Sequence, residues 1–380
     1  MNAQAPAILA YLRAMNDQKA SDLYLTVGCP PTLRVENELV NPQNKPLAAQ
    51  DIEDIISSIL TTRQKHEFDT THELNTSLDI AQHGRFRVNI MRQRQQPALV
   101  IRRIVSHIPS FDELKLPPVL GDLSLEKRGL ILLTGMTGSG KSTTLAAMVD
   151  SRNQRQQGHI ITIEDPIEYF HDHKKCVITQ REVGIDTESY AIAMKNALRQ
   201  RPDVILVGEI RDRLVMEHAL MSAETGHLCL STIHTNNSYQ AIERIVNLFP
   251  EEYEKQVRLN LSQNLKAIIS QRLVPSIEGG LVPAVEIMLN QGLVKELILS
   301  GKIGQIREVM EQNISSGMCT FDQSLLSLLE QGLITEETAI TNADKPSDLK
   351  VKLQNKSFSG DPNVAGTSLK SDDNSISFYD

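Results

Sequence analysis

Residues 135–142 read Gly-Met-Thr-Gly-Ser-Gly-Lys-Ser, and Thr143 follows. Glycines in such a turn let the backbone wrap closely around an anion and present its N–H groups as donors. The run before it, Leu130–Leu133, is apolar and strand-like, and Ser142–Gln156 reads as a helix. Strand, tight loop and helix in that order aim the positive end of the helix at the loop. Few features constrain a chain more, because this one demands an α/β framework and names a ligand class. Gly135, Thr137, Gly138, Ser139, Gly140, Lys141, Ser142 and Thr143 are the expected phosphate-holding set for ATP. Lys141 is placed to reach the β- and γ-phosphates, and the Ser142 hydroxyl to ligate Mg²⁺.

Three more short apolar runs follow: Ile160–Ile163, Val204–Val207 and Leu228–Ile233. Helical stretches alternate with them, including Ser189–Leu198, so the sheet is expected to be largely parallel and covered on both faces. Polar residues sit where these runs end. Glu164-Asp-Pro-Ile-Glu168 follows the first, Glu209 the second and His234 the third. Ligands bind at this edge of open α/β sheets. A nucleotide-hydrolysing site needs an acid near Mg²⁺ and a base that orients the attacking water. Glu209 has the position of the metal-linked acid, so Ser142 and Glu209 are the expected metal residues. Glu164 and Glu168 both stand as base candidates. Any one of these acids alone reads as a solvated loop carboxylate; their joint placement favours a site. His234 fits a γ-phosphate sensor. His227, at the other end of its strand, reads equally well as a hydrogen-bonded structural histidine.

Residues 1–108 are expected to form a small α+β domain. Ser21–Val27 alternates apolar and polar, and Thr32 to Val40 resumes an extended pattern after Gly28-Cys-Pro-Pro31. Ile52, Ile55, Ile56, Ile59 and Leu60 mark one helix face, entered through Asp51. Residues 86–90 and 98–104 read as further strands. This domain is rich in arginine: Arg85, Arg87, Arg92, Arg94, Arg102 and Arg103. Arg85 and Arg87 share a strand face. They fit a solvated basic face or arginine fingers reaching a neighbouring subunit's nucleotide. Prolines at 109, 117 and 118 bracket a linker at 109–117, the nucleotide domain spans 118–290, and a helical region spans 291–356. There Leu293, Val294, Leu297 and Ile298 form one stripe. Thr320-Phe-Asp-Gln323 is a capping box for the helix Phe321–Gln331, closed by Gly332. Residues 357–380, rich in Ser, Asp, Asn and Gly, read as a disordered tail.

The net charge of −8, from 39 basic and 47 acidic residues, argues against a dedicated nucleic-acid binder. No run approaches the ~18 apolar residues of a membrane span, and Met1–Met15 has no signal-peptide pattern. A cytoplasmic location is expected. The four cysteines form no CxxC pair, so reduced thiols are expected rather than a zinc site.

Together these residues resemble the secretion ATPases of the type II and type IV pilus superfamily. Four boxes stand in that order: the phosphate loop, Ile163-Glu-Asp-Pro-Ile-Glu168, Ile205-Leu-Val-Gly-Glu-Ile-Arg211 and Thr225–His234. Within the group the chain looks like the PilT/PilU retraction ATPases, on Arg199-Gln-Arg-Pro-Asp203, Gln180-Arg-Glu-Val183 and Ala20-Ser-Asp-Leu23. The resemblance covers roughly residues 5–350. The stretches Gly317–Gln323 and Asn342–Asp344 look PilU-like. PilT-type members carry an Ala-Ile-Arg-Asn-Leu-like motif where this chain reads Gly292-Leu-Val-Lys-Glu-Leu-Ile298. The departure points to an accessory motor working with a PilT-type ATPase.

The resemblance implies a PAS-like N-terminal domain, a RecA-like ATPase domain and a homo-hexameric ring. It makes Glu168 the general base and Glu209 the metal-linked acid. Arg85, Arg87 and Arg103 become nucleotide contacts across domain or subunit boundaries, and His227 joins His234 as a paired His-box residue. It implies a location at the inner-membrane pilus base, a PilC-type platform protein as partner, and pilus retraction (twitching motility) as the work done. The alternatives are an independent PilT-type motor, a pilus-assembly or type II secretion ATPase, a RecA-like nucleic-acid translocase and a regulator that binds ATP with little turnover. The assembly and secretion ATPases usually have a longer N-terminal region and a four-cysteine zinc insertion, which this chain lacks.

Overall fold

A computed structural model describes residues 6–359 except 37, 81–82 and 105–106. The first part of the chain folds as α1 (Pro6–Asp17), β1 (Asp22–Thr26), β2 (Thr32–Val35), β3 (Glu38–Val40), α2 (Ala49–Ile59), α3 (Thr62–Thr71), β4 (Glu73–Ile80), β5 (Gly84–Gln93) and β6 (Gln96–Arg103). The strands form one antiparallel sheet in the order β3-β2-β1-β6-β5-β4. Alternation sets its two faces. Phe86, Val88 and Ile90 of β5 point inward with Leu23, Leu25 and Ile101, and Ile8, Ile52, Ile56 and Phe68 from the three helices close over them. Arg85 and Arg87 lie on the opposite face. The extended run expected over 32–40 is two strands, because Glu36 turns the chain with φ 48°. Asp51 does not cap α2. The helix starts two residues earlier, and the Asp51 carboxylate accepts the Ala48 N–H at 2.8 Å from inside the first turn.

The second part builds α4 (Val119–Ser124), β7 (Gly129–Thr134), α5 (Lys141–Arg155), β8 (Gly158–Glu164), β9 (Cys176–Glu182), α6 (Tyr190–Ala197), β10 (Val204–Val207), α7 (Arg213–Glu224), β11 (Leu228–Ile233), α8 (Ser238–Val246), α9 (Glu254–Asn264), β12 (Leu265–Pro275) and β13 (Leu281–Leu289). Their sheet runs β13-β12-β7-β11-β10-β8-β9. All neighbours are parallel except β12 and β13. Both faces are buried, which is why its central strands read as unbroken apolar runs. Leu130 and Leu132 of β7 face α6 to α9, while Ile131 and Leu133 face α5. The segment 109–117 is packed down, with Leu116 6% exposed against that second face.

The chain then turns helical: α10 (Leu293–Ser300), α11 (Ile306–Gln312), α12 (Phe321–Glu330), α13 (Glu336–Asn342) and α14 (Pro346–Ser359). The capping box forms as expected. Gln323 N–H donates to the Thr320 hydroxyl at 3.4 Å, and Thr320 N–H to the Gln323 side chain at 2.9 Å. Phe321, Leu325 and Leu328 pack on Val274, Val282 and Ala284 of the β12–β13 hairpin. Helix α14 passes the boundary expected at 357, and the rest of the tail, 360–380, lies outside the described residues.

Candidate nucleotide site

The loop between β7 and α5 is shaped by what lies under it. Gly135 has φ 145°, and a Cβ there would stand 2.4 Å from the Gln271 carbonyl oxygen. Gly140 has φ 85°, and a Cβ would stand 2.7 Å from the Gln271 amide nitrogen. Neither position admits a side chain. Lys141, 8% exposed, donates from Nζ to the Gly135 and Met136 carbonyls, both at 2.8 Å. Burial lowers its pKa, and the nearby Glu209 and Glu168 carboxylates oppose that shift. Its charge therefore faces the acids across the loop.

Four parallel strands end on this edge, so their terminal residues surround one cavity of about 580 Å³. Thr137, Gly138, Gly140, Lys141, Ser142 and Thr143 line it from the loop. Glu164, Asp165, Glu168, Glu209 and His234 line it from the strand ends. The structure thus brings residues from each of the four boxes to one cavity. Gly135 lines a neighbouring cleft, and the Ser139 hydroxyl is buried with no hydrogen-bond partner among the described residues.

The acids differ in setting. Glu164 accepts from the Thr162 hydroxyl at 2.6 Å and from the Gln180 amide at 3.3 Å. It keeps some surface on the cavity but is crowded by protein, and burial pushes its carboxyl up to about 7. Glu168, further along the same loop, is exposed to the cavity. Glu209 is ion-paired with Arg211, and its other oxygen lies 3.1 Å from His234 Nε2. The loop carrying Glu168 is tied to α5: the Thr143 hydroxyl and the Tyr169 hydroxyl are 2.8 Å apart.

Other expected residues are not at this cavity within the chain. His227 stands at the amino end of β11, with Nδ1 3.1 Å from the Ser222 carbonyl oxygen. Arg85 lies over the Phe170 ring at 5.4 Å and donates to the Ser77 hydroxyl at 3.3 Å. It and Arg87 act on Glu182, whose pKa burial raises and the two arginines pull back. Arg103 donates to the Lys19 carbonyl at 3.4 Å.

The structure adds lining residues that no motif marked. Tyr190 reaches from α6 and crowds Gly208, where a Cβ would lie 2.9 Å from its hydroxyl. His171 is 6% exposed, and burial takes its pKa down to about 4, so it lines the site as a neutral imidazole. His171 sits in the β8–β9 connection and Tyr190 opens α6, and no local pattern marks either as a lining residue.

Comparison with known proteins gives a concordant picture. The family model described as "Type II/IV secretion system protein" matches residues 44–316. The chain is 45% identical to the type IV pilus ATPase PilU of Pseudomonas aeruginosa, over 90% of each chain. It is 41% identical to the PilT retraction ATPase of the same organism, over 87% of this chain and 96% of that one. Among solved structures, that of the pilus retraction motor PilT with bound ADP superposes with a TM-score of 0.85 at 41% identity, covering 90% of this chain and 99% of the other.

Proposed function

Because this chain belongs to the type II/IV secretion system family and is a pilus-retraction ATPase, we propose that it works as a hexameric motor, serving twitching motility as an accessory to a PilT-type ATPase. The observation that carries the chemistry is the meeting of Lys141, Glu168, Glu209 and His234 around one cavity at the carboxyl edge of the sheet.

In this reading the phosphate loop and Lys141 hold the β- and γ-phosphates. Glu168 takes a proton from the water that attacks the γ-phosphorus, and the bond to the β,γ-bridging oxygen breaks to leave ADP and phosphate. His234, beside Glu209, reports the presence of the γ-phosphate. The oxygen donors Ser142 and Glu209 both line the cavity and fit Mg²⁺, which prefers a few protein oxygens alongside phosphate and water. Bound there, Mg²⁺ supplies charge neutralisation of the leaving phosphates. Glu164, with its raised pKa, supports the loop and stands second as base. His227 braces the far end of β11.

Hydrolysis becomes movement when neighbouring subunits sense the nucleotide. Arg85, Arg87 and Arg103 serve that role across subunit or domain boundaries. Two facts support it: all three are outside the cavity of their own chain, and Arg85 Nε and Arg103 Nε are buried with no hydrogen-bond partner among the described residues. We read the six-stranded part as the PAS-like domain and the seven-stranded part as the RecA-like domain, with the division at 109–117. Among the described residues no helix is long and apolar enough to cross a membrane. The motor would act from the cytoplasm on a PilC-type platform protein at the inner-membrane pilus base, without nucleic acid.

The accessory role rests on α10. The helix occupies Leu293–Ser300, where PilT-type motors carry their retraction motif, and it exposes Leu293 and Leu299. Pilus retraction measured in strains holding this protein alone, the PilT-type ATPase alone, or both tests the role. Retraction only when the PilT-type protein is present is expected; retraction by this protein alone would overturn the accessory reading.

A further inference from the structure

Strand β12 flanks β7 and carries two adjacent residues that serve different regions. Gln271 is 3% exposed. Its Oε1 accepts from the Thr144 hydroxyl at 2.7 Å. Thr144 is in the first turn of α5, and its N–H reaches the Gly140 carbonyl at 3.0 Å. The Gln271 amide nitrogen fills the space beside Gly140, and its carbonyl oxygen fills the space beside Gly135. One residue therefore supports both ends of the phosphate loop.

Alternation along the strand turns Arg272 to the other face. Its guanidinium lies 3.8 Å from the centre of the Phe321 ring, pairs with Asp344 at 2.7 Å and donates to the Asn342 carbonyl at 3.1 Å. Asp344 is also 3.4 Å from Arg307, which pairs with Asp322 at 2.7 Å. Asp344 N–H closes the network on Asp322 at 2.7 Å. The two PilU-like stretches, Gly317–Gln323 and Asn342–Asp344, thus converge on one strand residue. Nothing in the nucleotide chemistry requires that convergence.

We propose that Gln271 is a positioning residue for the phosphate loop, and that β12, through Arg272, lets the C-terminal helices set how tightly that loop holds nucleotide. Partly buried, charge-assisted contacts fix the strand on one face, so a change in their geometry moves the amide on the other. The inference rests on the ATPase reading.

The test uses the full chain with Gln271→Met, which keeps length and packing, and Asp344→Asn, which weakens the clamp from outside the nucleotide site. Steady-state ATPase assays, ADP titrations, thermal unfolding without nucleotide and hydrogen exchange are compared with the parent. Removing the Thr144 bond is expected to raise KM for ATP about tenfold, with a smaller change in kcat. Asp344→Asn is expected to raise KM about threefold in the same direction. It should also speed exchange in residues 135–144 by more than its fall in melting temperature accounts for. The double variant should lose less than the product of the two, since both act through one strand. The idea is overturned if Asp344→Asn changes exchange only within 306–349 and leaves KM and the 135–144 amides at parent values. That arm stands even if Gln271→Met fails to fold. A parent that binds no ATP would remove the functional reading instead; a parent that turns ATP over, with variants unchanged, removes this inference alone.

Discussion

At the carboxyl edge of the seven-stranded sheet, charges from four strand ends face one another across a cavity. On the outer face of the six-stranded sheet, Arg85 and Arg87 face away from the apolar core, towards Phe170 and Glu182 on the rim of the seven-stranded part. In the proposed reading the first region lies within one chain, because the proposed base, the proposed metal-linked acid and the phosphate loop all line one space. The second is positively charged and ordered, yet reaches no nucleotide of its own. On the proposed reading, the contrast puts hydrolysis and its coupling to neighbours in separate parts of the chain. One can be damaged without the other.

The largest expected effect removes the first region. Lys141→Ala should lower ATP turnover by about 10²–10³-fold or more and abolish tight ADP binding, because the buried cation is the loop's own charge on the phosphates. Fluorescence titration with a labelled nucleotide checks it, and parent-like affinity would break the site assignment. The next effect belongs to the second region. Arg85→Ala together with Arg87→Ala should cut turnover by roughly 10²-fold or more in assembled protein, given the usual size of finger contributions. ADP affinity in dilute protein should stay near the parent's. Full turnover in the double variant would reduce that face to a plain solvated surface and dissolve the comparison.

A pH experiment sharpens the view of the first region. Glu164 ionises at about 7 in the folded chain and near 4.5 when its shielding is lost. Between those values the folded state holds the extra proton, so raising the pH through this window erodes stability. Glu164→Gln carries no such proton. Its melting temperature should fall less between pH 4.5 and 7, and should exceed the parent's above pH 7. Parallel curves from thermal unfolding would show that the carboxyl is not shielded. The smallest effect lies outside both regions. Thr320→Ala removes one helix cap and should cost about 1 kcal/mol in chemical unfolding, with turnover at saturating ATP close to the parent's.

The nucleotide edge was largely legible in the sequence, because its chemistry is local. Each proposed site residue lies at the end of an apolar strand or in the loop that follows one, and the strands fall close to their expected limits. What escaped was set by tertiary packing rather than by a local pattern. Tyr190, His171 and Gln271 reach the site or its loop from segments with no motif of their own. Strands β4, β9, β12 and β13 went unread: polar residues interrupt β4 and β9, and the apolar stretches of β12 and β13 fit helix and strand alike. The expected start of α2 at Asp51 missed because an acid at the third helical position resembles a cap in sequence. His227 shows the limit of motif pairing: six strand residues separate it from His234, so the two rings stand at opposite ends of β11.

Glu168→Gln tests the central claim most directly, because it changes the proposed base and leaves the phosphate loop intact. Steady-state turnover and ADP affinity are measured side by side on the assembled protein. Turnover should fall by about 10²–10⁴-fold, with ADP affinity close to the parent's. Parent-like turnover would contradict the assignment of this cavity as the hydrolysis site.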